Sequence, residues 1–393
     1  MKKPMGRGFF VFVIILSVAV DWMACDIFLP AQPEILRALH TDAQTLNGAL
    51  SVYFVVSAIS VLFGGPVSDK YGRKPLMVAA MVCFAGFAYG AALAPNVGFL
   101  IFCRGGSALG AGVITAVGMA MVKDYLNEDD FQQAMAIIQS VIVLGPVVSP
   151  FLGSFVLVIG GWRWVLATLG ILGTIAAVFI LLLPETLEPS RRVSGGILPA
   201  LKGLLTVAKD RNFSLLLIVI SMFGVPFFAF VAVCSYICIN FFGLTYLQYS
   251  LFYGGICMIS VAAPFVYLWL DKRMQGKTEL WLCFALFLLT IIGLFTVGKI
   301  SIFLLFLVFI PYTFAEGISR PLGMVLLLNQ HDDTSGAVSA LTGFATSVIG
   351  SLGSIVATLG WSNYITGLAW ILLGCFAVAA VGWVALLLMK IKI

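Results

Sequence analysis

Charged side chains are scarce in this 393-residue sequence: Asp, Glu, Lys and Arg make up 10% of it, whereas a soluble domain carries roughly 25%. This scarcity excludes an ordinary soluble domain and makes lipid the main solvent. The only histidines, His40 and His331, fall in loops predicted on opposite sides of a membrane. Catalysis in lipid usually needs clustered histidines, carboxylates or metal ligands on one face, so a membrane-embedded enzyme is disfavoured.

Nucleotide-binding motifs are absent as well. The sequence contains neither a P-loop nor a Gly-rich dinucleotide fingerprint, so neither an ATP-driven pump nor a bound cofactor is indicated. The eight cysteines have no metal-site or disulfide-framework spacing, and they all lie within or beside apolar runs, at positions 25, 83, 103, 234, 238, 257, 283 and 375. We therefore expect no metal site.

Long hydrophobic runs are abundant, since 61% of the residues are hydrophobic and the mean hydropathy is +1.10. About 20 apolar residues are needed to cross the hydrocarbon core. Because the runs lack the alternation of outer-membrane strands, they indicate helices. The predicted fold is an all-α integral membrane protein with twelve transmembrane helices near 8–29, 44–67, 75–94, 97–122, 133–158, 163–183, 213–237, 246–270, 279–298, 301–328, 336–358 and 363–389.

The basic residues are distributed unevenly between the two predicted sides. When loops are assigned alternately, 17 of the 22 lysines and arginines fall on one side, and Arg37, Arg163 and Lys299 fall on the other. The positive-inside rule then puts both termini in the cytoplasm. The first apolar stretch is too long for a signal peptide and ends in Pro30 and Pro33, so we expect an uncleaved first span.

A polar linker divides the chain into two halves. We expect six helices in 1–184, a cytoplasmic linker over 185–212 and six more helices in 213–393, with the halves related by pseudo-symmetry. The loop after span 8 repeats part of the loop after span 2, since Asp271, Lys272, Arg273, Gly276 and Lys277 stand about as far into the second half as the corresponding charges stand into the first.

The polar stretch 65–75 interrupts the hydrophobic runs between spans 2 and 3 and is predicted to be a short loop. Its glycines permit close helix approach and an unusual turn, and its acid can pair with its arginine. We interpret it as a breakable latch between helix ends, although a plain basic loop is the alternative. The latch residues are Gly65, Asp69, Gly72, Arg73 and Lys74.

The spacing Gly-x-x-x-Asp-x-x-Gly-Arg-Lys resembles the loop 2–3 signature of the major facilitator superfamily. Segments that resemble its drug:proton antiporters, of the bicyclomycin and chloramphenicol resistance group, are 26–33, 123–125, 161–163, 184–186 and 336–340. The resemblance adds Asp124, after span 4, to the latch. It implies a twelve-helix fold whose central cavity opens alternately to the two sides.

The fifth span contains a dense run of glycine and proline that is similar to the antiporter signature of exporters. Such residues bend a helix and bring it close to a neighbour. Two positions depart from the signature, with Ser149 and Ser154 in place of glycine. An ordinary proline kink is the alternative interpretation for the defining residues Gly145, Pro146, Pro150 and Gly153.

Five ionisable residues lie within the spans, where each costs about 2.5–3.5 kcal/mol and is functional by default. Asp21 and Asp26, about 140° apart around span 1, are candidate proton carriers; the family motif includes Asp26. Arg104, which resembles the span 4 arginine linked to proton exchange, is predicted to partner one of these aspartates. Glu316 and Arg320 can neutralise each other on span 10 or bind substrate.

Aromatic residues are dense in spans 7 and 8, and most are expected to face lipid or the membrane interface. A minority could line a cavity for a flat apolar substrate. The cavity candidates are Trp22, Tyr53, Phe227, Tyr236 and Tyr253, together with Glu316 and Arg320.

These patterns favour a proton-coupled antiporter of a bacterial inner membrane that exports small, largely apolar compounds. The alternative is an uptake symporter or facilitator of a small metabolite. We expect a monomer whose partners are the substrate, protons and the bilayer, with no nucleic acid, cofactor or metal.

Overall fold

The computed structural model describes residues 6–188, 190, 192, 204–274, 276–330 and 335–389, and none of these residues lies in a strand. The chain folds into two compact units, Met1–Ala200 and Leu201–Ile393. Within the predicted linker 185–212, residues 189, 191 and 193–203 lie outside the described residues. The helices of the first unit are α1 (Arg7–Asp26), α2 (Gln32–Ala38), α3 (Ala43–Tyr71), α4 (Arg73–Ala92), α5 (Val97–Tyr125) and α6 (Glu128–Leu182).

Helix α6 contains two of the predicted spans, 133–158 and 163–183. Its backbone departs from helical geometry at Gly161, where φ is 74° and ψ is −178°. Asp130 forms an ion pair with Arg7 at the start of α1, 2.5 Å away, and Phe179 contacts Phe9, two residues from that arginine, at 6.0 Å between ring centroids. A straight helix from Asp130 to Phe179 would be about 70 Å long. The chain therefore reverses near Gly161, and α6 crosses the unit twice.

The described residues of the second unit form six long helices. Its first helix ends in a π-helical segment, Tyr236–Phe241. The helices are α7 (Arg211–Ser235), α8 (Tyr246–Asp271), α9 (Gly276–Thr296), α10 (Ile302–Leu328), α11 (Ser335–Ala357) and α12 (Tyr364–Leu388).

The helix pairs of the second unit repeat those of the first. Helix α5 packs on α3 and α4 in the first unit, and α10 packs on α8 and α9 in the second. In the described residues, eleven helices are long and apolar enough to cross a membrane. Because one of them, α6, holds two spans, the eleven helices account for the twelve predicted spans, and the pseudo-symmetric fold class is confirmed.

The predicted loop 65–75 is mostly helical, which corrects the sequence prediction. Helix α3 continues to Tyr71 and α4 begins at Arg73, so Gly72 is the only break between them. Its φ of 102° is a left-handed conformation that favours glycine. Pro66 lacks a backbone N–H but does not end α3, because the apolar residues before it have already nucleated the helix. The polar residues after Pro66 therefore continue the same helix.

Close approach between α3 and α5 depends on glycines other than the predicted Gly65. A Cβ added to Gly65 would meet nothing within 4 Å, whereas one added to Gly64 would lie 3.2 Å from the Val113 backbone. On α5, a Cβ at Gly112 would lie 2.3 Å from the Ser57 carbonyl oxygen. The glycine of α3 that allows α5 to approach closely is therefore Gly64, one residue before the predicted Gly65.

We expect Gly112→Ala to destabilise the protein by about 1–3 kcal/mol, because the clashing atom belongs to the backbone and cannot rotate away. Gly65→Ala is the matched control, since both glycines are helical and gain similar helix propensity from alanine. Thermal unfolding of the purified protein in detergent measures the difference. Equal unfolding temperatures for the two variants would contradict the packing described here.

Candidate functional site

Asp21 lies on α1 at the centre of a buried hydrogen-bonded group in the first unit. Its side chain accepts a hydrogen bond from the Tyr53 hydroxyl on α3, 3.1 Å away, and another from the Thr115 hydroxyl on α5. Asp21 is only 8% exposed. Helices α3 and α5 thus each supply one donor to a carboxylate on α1, and these two hydrogen bonds hold the carboxylate in place.

Arg104 lies beside this group and is 1% exposed. Its guanidinium is 4.3 Å from the centroid of the Tyr53 ring, and its Nη1 atom donates to the Ala24 carbonyl oxygen of α1 at 3.0 Å. Among the described residues, Nε and Nη2 have no hydrogen-bond partner. The structure places Tyr53 between Arg104 and Asp21, so the predicted pairing of Arg104 with Asp21 is not direct, whereas a pairing of Arg104 with Asp26 stays a prediction.

Asp26 is the last residue of α1 and is 7% exposed. The turn after it contacts the predicted antiporter segment of α6: a Cβ added to Gly153 would lie 2.4 Å from the Ile27 carbonyl oxygen and 3.1 Å from Pro30. Pro146 and Pro150 both lie inside α6 and remove backbone donors there. The proline-containing part of α6 is therefore packed directly against the chain that follows Asp26.

Trp22 is the most exposed of the cavity candidates in the first unit. It is 42% exposed, and its Cβ lies 3.8 Å from the place where a Gly145 side chain would begin. Trp22 thus adjoins the glycine and proline run of α6, whereas Tyr53 is buried beside Asp21. Their contribution to substrate binding stays a prediction.

The latch residues meet at one end of the first unit around Arg73. The Arg73 guanidinium forms ion pairs with Asp69 at 2.6 Å and Asp124 at 3.0 Å, and it also donates to the Ser68 hydroxyl. Its side chain is 9% exposed. One buried cation thus joins the ends of α3 and α5 to the start of α4.

Glu185 completes this cluster, a role that the sequence analysis did not assign to it. Its carboxylate accepts hydrogen bonds from the backbone N–H groups of Arg73 at 3.0 Å and Lys74 at 3.3 Å. Lys74 in turn donates to the Leu181 carbonyl oxygen at 2.8 Å, near the end of α6. A carboxylate at a helix start and a cation at a helix end both complement the helix dipoles, and this chemistry could have suggested Glu185.

A second charged group lies inside the second unit. Glu316 is 1% exposed and accepts a hydrogen bond from Nε of Arg320, and its other oxygen is 3.5 Å from the Ser260 hydroxyl on α8. The guanidinium of Arg320 lies 5.5 Å from the ring centroid of Phe227 on α7. The pairing suggested by the four-residue spacing is present, with the acid buried and the arginine exposed.

The other two aromatic candidates lie within packed aromatic groups. Tyr253 is 1% exposed, with its ring stacked on Phe230 at 6.3 Å and on Tyr249 at 5.9 Å. Tyr236 is also buried, and its ring is 5.9 Å from that of Tyr364. Phe227, which lies beside Arg320, is half-buried, unlike Tyr236 and Tyr253.

Two related units of apolar helices, each holding ionisable groups inside its spans, define a polytopic membrane transporter. The family model of the Major Facilitator Superfamily matches residues 12–354, and the chain belongs to that superfamily. Both the predicted family and the predicted fold class are thereby confirmed, and the protein is a transporter of small molecules rather than an enzyme.

Three similar proteins illustrate the match. The uncharacterized MFS-type transporter YdgK of Bacillus subtilis is 25% identical over 339 residues, 83% of each chain. The chloramphenicol resistance protein CraA of Acinetobacter baumannii is 24% identical over 283 residues, 69% of this chain and 66% of its own. A bacterial homolog of the human lysosomal transporter Spinster, solved in an inward-facing and occupied conformation, has a TM-score of 0.77 at 12% identity, covering 99% of this chain and 98% of that one. This last likeness shows the fold alone.

We expect Arg73→Gln to destabilise the protein by about 1–3 kcal/mol, because it leaves Asp69 and Asp124 without their shared cation. Lys70→Gln is the control, since Lys70 is an exposed neighbour whose ammonium lies 5.1 Å from the Tyr71 ring. Thermal unfolding in detergent measures both variants. The cluster would not be a structural tie if the two variants unfolded at the same temperature.

Proposed function

We propose that this transporter is a proton-coupled antiporter that exports small, largely apolar compounds by alternating access. The observation that carries the proposal is the buried carboxylate of Asp21, held by Tyr53 and Thr115 beside Arg104. An ionisable side chain within a span is expensive and marks a proton or ion pathway by default. Asp26, at the end of the same helix, is the second candidate carrier.

Coupling follows from the charge balance around Arg104. Protonation of Asp21 or Asp26 leaves the cation less neutralised, and a bound substrate alters the same environment by displacing water and polar contacts. Protonation and substrate loading then compete, and inward proton movement drives outward substrate movement. Arg104 suits this role because its Nε and Nη2 atoms have no hydrogen-bond partner among the described residues, so its electrostatic environment can respond to either event.

The export direction has two supports. The glycine and proline run 145–153 packs on the chain directly after Asp26, so bending of α6 is mechanically linked to a candidate proton carrier. A relative, CraA, is named a chloramphenicol resistance protein, and a resistance protein in this superfamily fits export of an antibiotic. The cluster around Arg73 acts as a conformational latch, and the protein functions as a monomer in a bacterial inner membrane with both termini in the cytoplasm.

Proteoliposomes with an imposed pH gradient test the coupling. We expect the wild-type protein to move labelled chloramphenicol against its gradient when protons flow the other way. Asp21→Asn and Asp26→Asn remove the candidate carriers, and at least one of them should reduce this movement about tenfold or more. Asp130→Asn is the control, because Asp130 pairs with Arg7 at a helix end.

Two results would contradict the proposal. If the pH gradient moves no compound of a chloramphenicol, bicyclomycin and dye panel, proton-driven export is wrong. If substrate moves in the same direction as protons, the protein is a symporter instead. Undiminished transport by both aspartate variants would remove the proposed carriers while leaving export itself intact.

Thr115 gives a separate prediction about the carrier. Its hydroxyl stabilises the ionised Asp21 carboxylate by donating to it, so Thr115→Val should move the half-maximal pH of proton-driven transport toward alkaline values. Thr115→Ser keeps the donor and should restore the wild-type profile. The measurement is the initial transport rate against external pH, and identical profiles for the valine and serine variants would exclude a positioning role for this hydroxyl.

A further inference from the structure

The exposed guanidinium of Arg320 stands out in the second unit. Helix α10 runs from Ile302 to Leu328, so Arg320 lies about 12 Å from the nearer helix end. Its side chain is nevertheless 59% exposed, while its partner Glu316 is 1% exposed. A charged side chain at this depth faces water or the interior of a bundle rather than lipid.

The direction of Arg320 around α10 agrees with this. The exposed apolar residues of the helix include Phe303, Leu307 and Val325, which lie within about 40° of one another around the axis at 100° per residue. Arg320 lies about 100–140° away from all three. Helix α10 therefore has two accessible faces, an apolar face suited to lipid and a polar face that carries Arg320.

The bonding of Arg320 leaves its outer edge available. Nε donates to Glu316, and among the described residues the terminal Nη1 and Nη2 atoms have no hydrogen-bond partner. Because Glu316 is fixed against α8 through Ser260, and a Cβ added to the neighbouring Gly317 would lie 2.4 Å from that of Ala263, the arginine extends from a rigid base. The two terminal nitrogens form a fork that matches a planar pair of acceptor oxygens.

Phe227 supplies the second half of the site. Its half-buried ring lies 5.5 Å from the guanidinium. The α7 helix that carries it is tied to α10 one turn away, where the Tyr312 hydroxyl donates to the Phe223 carbonyl oxygen at 2.7 Å. An aromatic surface and a cationic fork are thus held side by side by two fixed helices.

We propose that Arg320 and Phe227 form a substrate subsite that binds aromatic compounds through a planar acceptor group such as a carboxylate, nitro group or amide carbonyl. The inference rests on the proposed export of small molecules and names the substrate class. The charge exposed to a ligand is positive, because the compensating Glu316 is buried. The subsite therefore prefers anionic or neutral acceptor-bearing aromatics over aromatic ammonium compounds of the same size.

Binding of three matched probes to the full-length protein in lipid nanodiscs tests this selectivity. The probes are 1-naphthoate, 1-naphthamide and 1-naphthylmethylammonium, which share one aromatic body and differ in the polar group. Titration calorimetry gives each Kd. We expect naphthoate to bind about tenfold or more tightly than the ammonium probe, since a carboxylate accepts charge-assisted hydrogen bonds from a guanidinium and an ammonium group cannot, with naphthamide between them.

Variants assign the selectivity to the fork. Arg320→Lys keeps the charge beside Glu316 but removes the planar fork, and should cut the preference for naphthoate. Because Arg320→Gln alone leaves a buried carboxylate unpaired, the double variant Glu316→Gln/Arg320→Gln is the neutral comparison and should abolish the preference. Arg273→Gln is the control, since Arg273 also lies over a ring in this unit, at 4.0 Å from Trp269, and it should leave the preference unchanged.

The outcomes separate this inference from the proposed function. Retention of the naphthoate preference in both Arg320 variants overturns the subsite, as does failure of the wild-type protein to bind any of the probes up to their solubility. A preference that depends on Arg320 supports the subsite even if the proteoliposome experiment shows no proton-driven export. Proton-driven export without such a preference supports antiport and rejects the subsite.

Discussion

A charged side chain that is buried in the protein or lies within a hydrophobic span needs a partner inside the protein, and three arginines of this transporter meet that requirement to different degrees. Arg73 has two carboxylates and a hydroxyl around it. Arg104 has one carbonyl oxygen and two aromatic rings, with two nitrogens unpartnered among the described residues. Arg320 has one carboxylate and an open outer edge. A fully bonded cation holds structure together, whereas an incompletely bonded one retains interaction energy for a ligand or a changing charge.

Packing links these charges to backbone movement. Gly153 brings α6 against the Ile27 carbonyl oxygen, one residue after Asp26, so the proline-containing stretch cannot change its bend without shifting the end of α1. Arg104 reaches the same helix through the Ala24 carbonyl oxygen. Helix α1 therefore receives contacts from α5 and α6 within a few residues of both aspartates, and interfaces this closely packed tend to switch between discrete arrangements rather than deform gradually.

Contacts within one helix or across a short break could be predicted from the sequence, but contacts between distant helices could not. The pairs Asp69–Arg73 and Glu316–Arg320 follow from four-residue spacing, and hydropathy locates the spans. Thr115 could not be found, because nothing in the sequence distinguishes its hydroxyl from others in apolar helices until α5 packs beside α1. The predicted contact glycine, Gly65, is one residue away from the observed one, Gly64, because the rotation of α3 that turns Gly64 toward α5 depends on the helix continuing to Tyr71. The position of Tyr53 between Arg104 and Asp21 could not be predicted for the same reason, because it depends on how α3 is rotated about its axis relative to α1 and α5.

The two units use different chemistry at the positions where their sequences echo each other. In the first unit Arg73 is held by charge-assisted hydrogen bonds, each contributing about 1.5–3 kcal/mol, although the 39% exposure of Asp69 weakens its share. In the second unit Arg273 lies over Trp269, an exposed ring, and a cation–π contact at such a site contributes about 0.5–1 kcal/mol. Among the described residues, the contact of Arg273 after α8 is therefore weaker than the contacts that Arg73 makes after α3. The Arg273 contact also joins residues only four positions apart in one stretch of chain, whereas Arg73 joins the ends of α3 and α5 to the start of α4. The equivalent arginines of the two units thus differ in role, because only a contact that crosses from one helix to another can hold helix ends together.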